Sequence, residues 1–206
     1  MSRIMPRLAG SETRTSIAAS SARWEPRRVL PLSLALWAFG YACYRAYYAA
    51  GGTFGMIGHP VSEMQFRTIN AIGAAVILVA AIVPLVAVRW FPRMVPTLSW
   101  IGAVGCCMHA FVDSTLRVFS LTGVHPTQLP AEVWLSFDRR AADLQDLLLN
   151  EPWFLVEGLM WGALGLAFVG GARRRKWLIS ALVVGLSLTA VGVLSGLNVI
   201  GSFRLG

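Results

Sequence analysis

Charge is what this chain has least of. Of its 206 residues only 14% are Asp, Glu, Lys or Arg, ten acids against eighteen bases. A water-soluble domain carries nearer a quarter. With 56% hydrophobic residues and a mean hydropathy of +0.61, the composition points to an integral membrane protein. Cysteine is scarce too. Cys43, Cys106 and Cys107 all fall in apolar stretches, with neither CxxC nor zinc-ligand spacing, so they read as small packing residues and give no disulfide framework. There is no GxSxG or HExxH, and no pair of histidines on different apolar runs to ligate a haem. No metal and no cofactor is expected. The formal charge of +8 is not gathered into a groove-binding module, which leaves no case for a nucleic-acid partner; the basic residues sit at the ends of apolar runs, where a lipid bilayer accounts for them.

What is abundant is long apolar sequence. Five runs, Val29–Ala50, Thr68–Val88, Thr97–Val118, Pro152–Val169 and Trp177–Ile200, are each near the ~20 residues needed to cross about 30 Å of hydrocarbon. The expected fold class is therefore all-α, a polytopic membrane bundle of five transmembrane helices over residues 29–206. Arg3, Arg7, Arg14, Arg23, Arg27, Arg28, Arg89, Arg93 and the "RRRK" of 173–176 fall on one side of this topology, twelve basic residues in all. Only Arg67, Arg139, Arg140 and Arg204 fall on the other. The positive-inside rule then places the N-terminus in the cytoplasm and the C-terminus outside, in the plasma (inner) membrane.

Residues 1–28 are Arg- and Ser-rich without an apolar core, which excludes a cleavable secretory signal. They read as a disordered cytoplasmic tail resting on anionic lipid. The one long outer loop contains "PAEVWLSFDRRAADLQDLLLN", where Trp134, Phe137, Ala141, Leu144 and Leu148 are spaced as one face of an amphipathic helix, with Glu132, Asp138, Arg139, Asp143 and Asp146 mostly opposite. His59 and His125 each precede a proline and read as turn residues. Gly158 with Gly162, and Gly192 with Gly196, form two GxxxG pairs suited to close helix packing.

Candidate functional residues come from charges inside the spans. His109, Asp113 and Arg117 are four apart and share one helical face. Counted from the outer ends of their spans at 1.5 Å per residue, Arg45, Asp113 and Glu157 all lie roughly 7–8 Å deep, with His109 at about 13–14 Å. Charges facing lipid are costly, so these groups are expected to turn inward and pair: Arg45 with Asp113 or Glu157, while Arg117 snorkels to the rim. Tyr41, Tyr44 and Tyr48 flank Arg45, and Trp153 and Trp161 flank Glu157. Together these residues are expected to form either a structural lock or a small-molecule site with aromatic walls. His109 one turn from Asp113 is also an arrangement in which a carboxylate orients a general base.

Two segments resemble a known family. "YYAAGGTFGMIG" (47–58) is similar to the Y-W-A-x-G-G-T-x-G segment of an uncharacterised family of small actinobacterial integral membrane proteins. "NEPWFLVEGLMWG" (150–162) is similar to that family's D-P-W-F-L-x-G-G entry into a late span. Glu151 stands where the family has Asp, and Glu157 where it has a small or apolar residue. The resemblance implies class and location and adds no reaction. The expected function is a non-enzymatic binding or accessory protein in the lipid bilayer, with an outward-facing polar recess for a small amphiphile or another membrane subunit. The alternatives are an intramembrane enzyme working through His109, Asp113 and Glu157, and a small transporter; the second suffers from polar residues confined to one leaflet.

Overall fold

The computed structural model describes residues 11–127 and 131–200, with side chains from residue 27 onward. It is helical apart from one two-stranded ribbon. Helix α1 runs Ser11–Ala49, strand β1 Gly58–Pro60, α2 Glu63–Trp90, α3 Val95–Leu121, β2 Trp134–Phe137, α4 Arg139–Gln145, α5 Glu151–Phe168 and α6 Arg173–Gly196. A π-helical turn, Asp146–Asn150, joins α4 to α5. Three helices, α2, α3 and α6, are long and apolar enough to cross a membrane. The other two expected spans are weaker by the same measure. The 18 residues of α5 cover about 27 Å and include Glu151 and Glu157.

Within the expected tail, residues from Ser11 onward are drawn as the start of α1, and residues 1–10 lie outside those described. Alanine at 18, 19 and 22 favours helix over coil. In the long loop, Trp134 and Phe137 are not on a helix. They bound β2, which pairs antiparallel with β1 through Gly58 with Phe137, His59 with Ser136 and Pro60 with Trp134. The aromatic "WLSF" suits a pleated strand, and Asp138 then caps α4, its carboxylate accepting from the Ala141 N–H at 3.0 Å. His59 is thus a strand residue, while His125 does lie in a turn, its N–H donating to Phe119 O. Gly58 is required in β1 because any side chain there would strike the Ser136 carbonyl.

The helices pack in the order α2, α1, α5, α3, α6, each mainly on its neighbours. Leu34, Ala87, Val95, Trp161 and Leu164 form a core cluster near the α2–α3 turn. Glycine sets the close contacts: Gly192 meets Val112 and Gly196 meets Leu116, seating α6 on α3, and Gly158 meets Cys107. The outward faces of α2 and α6 are apolar and no residue of α6 is buried, a surface compatible with a membrane.

Contacts at the helix ends show which termini lie together. The Arg27 guanidinium donates to Ala167 O (3.1 Å) and the Trp177 indole to Pro96 O (2.9 Å). The start of the apolar part of α1, the end of α5, the start of α6 and the α2–α3 turn therefore share one end, rich in arginine. The ribbon, α4 and the π turn occupy the other.

Candidate functional site

The polar groups gather at the ribbon end, around the second half of α3. Arg117 is its hub. Its side chain is 16% exposed, with Nε 2.9 Å from Asp146 and Nη1 3.7 Å from Asp143, which is 1% exposed. Nη1 also donates to the Thr127 hydroxyl at 3.0 Å. Asp143 accepts from the Ser120 and Thr127 hydroxyls, and the Ser120 oxygen in turn accepts the Thr127 backbone N–H. Both oxygens of a desolvated carboxylate are thereby engaged, the condition for burying it. Arg117 is a half-buried network centre and not a snorkelling rim residue. Because α3 continues three residues past the expected boundary, α4 and the π turn pack beside it and enclose the guanidinium.

The tyrosines of α1 tie that helix into the same assembly. Gln145 donates to Tyr44 OH and to Gly55 O, both at 3.1 Å, Tyr48 OH donates to Phe54 O at 3.0 Å, and Tyr41 OH reaches Asn150 at 3.4 Å. Trp153 stacks on Trp37 with ring centroids 4.2 Å apart and also flanks Tyr41. Tyr41, Tyr44, Tyr48 and Trp153 form a seam between α1 and the α4–α5 segment. Trp161 lies farther along α5, in the core against Gly102.

The expected ion pairs form differently. Among the described residues Arg45 has no carboxylate within salt-bridge distance; its guanidinium lies over Gly73 of α2, where an added Cβ would stand 3.2 Å from Nε. Glu157 is buried on α5, one turn before Trp161. Asp113 instead meets His109 (Nε2 to Oδ2, 3.7 Å), and the third member is Glu151, whose Oε2 is 3.9 Å from the same nitrogen. The trio His109, Asp113 and Glu157 is thus not assembled. Glu151 takes the third place because α5 begins level with the His109–Asp113 turn of α3, which puts Glu157 more than a helical turn deeper. Phe154 stands edge-on to both Tyr41 and His109, at 5.3 and 4.5 Å, and holds the imidazole plane.

A cavity of about 670 Å³ opens at the same end, under the segment between α1 and α2. It is lined by Tyr48, Gly51, Gly52, Met56, His59, Glu63, Phe66 and Arg67 among others. Of the expected aromatic and charged residues only Tyr48 reaches it. The walls owe their shape to Gly51 (φ 97°) and Gly55 (φ 77°), a left-handed backbone open to glycine at little cost, and to Arg67, which donates to Ala49 O at 3.0 Å and closes the turn.

Sequence reasoning passed over Ser120, Thr127 and Gln145, left Asp143 and Asp146 on the polar face of the loop helix, and used Glu151 only in the family resemblance. The one available signal was three acids, Asp143, Asp146 and Glu151, spaced near helical periodicity beside an arginine-bearing span. Comparison with family models, with curated proteins and with solved structures gives no match.

Proposed function

We propose that the chain is a five-span plasma-membrane protein, N-terminus in the cytoplasm, that acts without catalysis by binding a small amphiphile at its outer end. All five long helices run between the arginine-rich end and the ribbon end, and α5 lies along α3 from His109 to the α2–α3 turn; this supports crossings by α1 and α5 despite their weaker hydropathy. The arginine-rich end then faces the cytoplasm. The observation that carries the binding reading is the 670 Å³ cavity, where Phe66, Met56 and Tyr48 offer apolar walls beside Arg67 and Glu63, the mixture a ligand with a chain and a head requires. The cavity is built by the "GGTFGMIG" segment, the part of the chain that carries the resemblance to the actinobacterial family, and we include membership of that family in the reading. The polar seam and the Arg117 network hold the outer ends of the helices around it.

The test is native mass spectrometry of protein released from membranes. Wild type is expected to retain one non-covalent amphiphile, and Met56→Trp, which fills the cavity, to lose it while remaining folded. Wild type free of any adduct, or an adduct undiminished in Met56→Trp, overturns the proposal.

A further inference from the structure

Asp113 and Glu151 are two carboxylates in one small space. Among the described residues, neither has an arginine or lysine within salt-bridge distance, since Arg117 is engaged by Asp143 and Asp146. Their shared neighbour is the His109 imidazole. Glu151 is the unusual member. It is 3% exposed, and its Oε2, the oxygen aimed at His109, accepts no hydrogen bond. A desolvated carboxylate oxygen left in this state is costly, and a second carboxylate beside it adds repulsion.

We propose that His109, Asp113 and Glu151 form a divalent transition-metal site, with zinc as the ion that suits it. One donor atom from each of the three lies within 4.8 Å of the others, and the two distances from His109 Nε2 are 3.7 and 3.9 Å. Tetrahedral bonds of about 2.0–2.1 Å to nitrogen and oxygen place ligand atoms about 3.3–3.4 Å apart, so the two His109 contacts close by around half an ångström each and the carboxylate pair by at most about 1.5 Å. Asp113 and His109 come from successive turns of one helix face and Glu151 from the start of the neighbouring helix, which fixes all three on rigid elements. Phe154 against the imidazole limits its rotation. An imidazole with two carboxylates selects zinc-like ions over magnesium or calcium, which take oxygen donors. His109 is 44% and Asp113 29% exposed, which gives a fourth ligand from outside the protein access to the cluster. The inference needs neither the amphiphile cavity nor the five-span topology.

Metal uptake by the full chain, purified in detergent, freed of tags and stripped with a chelator, tests it. Titration with Zn2+ alone is expected to show one tight equivalent and a raised thermal midpoint, and Co2+ to give visible bands of low-symmetry coordination. Glu151→Gln and His109→Ala should each weaken Zn2+ binding at least tenfold, while the double variant His59→Ala, His125→Ala binds as wild type. Glu151→Gln keeps the shape of the buried side chain, so its folding without metal is the control for the loss. No stoichiometric uptake, uptake unchanged in both ligand variants, or loss of uptake in the His59→Ala, His125→Ala variant overturns the proposal. The amphiphile adduct is scored separately on metal-stripped protein, so the two readings fail independently.

Discussion

At the scale of single residues, the difference between Arg45 and Arg117 is the sharpest result. Both are arginines inside expected spans, yet one lies over a glycine and the other holds two aspartates. Arg117→Ala leaves Asp143 buried without its cation, and by the usual cost of an orphaned buried charge it should destabilise by about 3–5 kcal/mol. Arg45→Ala removes no ion pair and should shift stability by no more than about 1 kcal/mol. Thermal or denaturant unfolding in one detergent compares the two; an Arg45→Ala loss equal to that of Arg117→Ala would contradict the network described here. The residue was marked in the sequence by its place on the His109–Asp113 face. Its partners were not, because Asp143 and Asp146 lie 26 and 29 positions on, and no local periodicity says that this loop folds back onto α3.

Among the helices, glycine decides which surfaces touch. A Cβ at Gly192 would stand 2.7 Å from a Val112 methyl, and one at Gly196 2.6 Å from Leu116, whereas at Gly162 the nearest atom is 3.9 Å away. Gly192→Leu should therefore wedge α6 off α3 at a cost of about 1–3 kcal/mol. Gly162→Ala should be neutral, within about 0.5 kcal/mol, although both positions belong to GxxxG pairs. Equal midpoints for the two variants would show that α6 does not depend on this contact. The pairs were visible in the sequence; that one is tight and the other half-open depends on which neighbour each face meets. The ribbon was not visible at all, since Gly58–Pro60 and Trp134–Phe137 are far apart in sequence and too short to signal strand singly.

For the whole molecule, the distribution of charge carries the topology. Reporters fused after Arg93 and at Arg174 should report the cytoplasm, and those near Gln128 and after Gly206 the exterior. If only α2, α3 and α6 crossed, Arg93 and Arg174 would lie on opposite sides. A split between those two reporters would therefore refute the five-span arrangement directly. The structure adds a reason to expect agreement, since the Trp177–Pro96 and Arg27–Ala167 hydrogen bonds hold the three basic segments at one end.

The sequence by itself determined the class of this protein, the positions of its long helices and the asymmetry of its ends. These follow from the length of apolar runs and from counts of charge, which are local and additive quantities. It also marked the stripe on α3 that carries His109, Asp113 and Arg117, because helical periodicity is local too. Only the tertiary structure decided what those residues meet. Depth counted from each span's own boundary treats all helices as starting in one plane; α3 runs on to Leu121 and α5 starts beside His109. That offset of more than one turn exchanges Glu157 for Glu151. It puts the carboxylate with no hydrogen bond to one oxygen against the histidine, and leaves the other deeper in α5 beside Trp161.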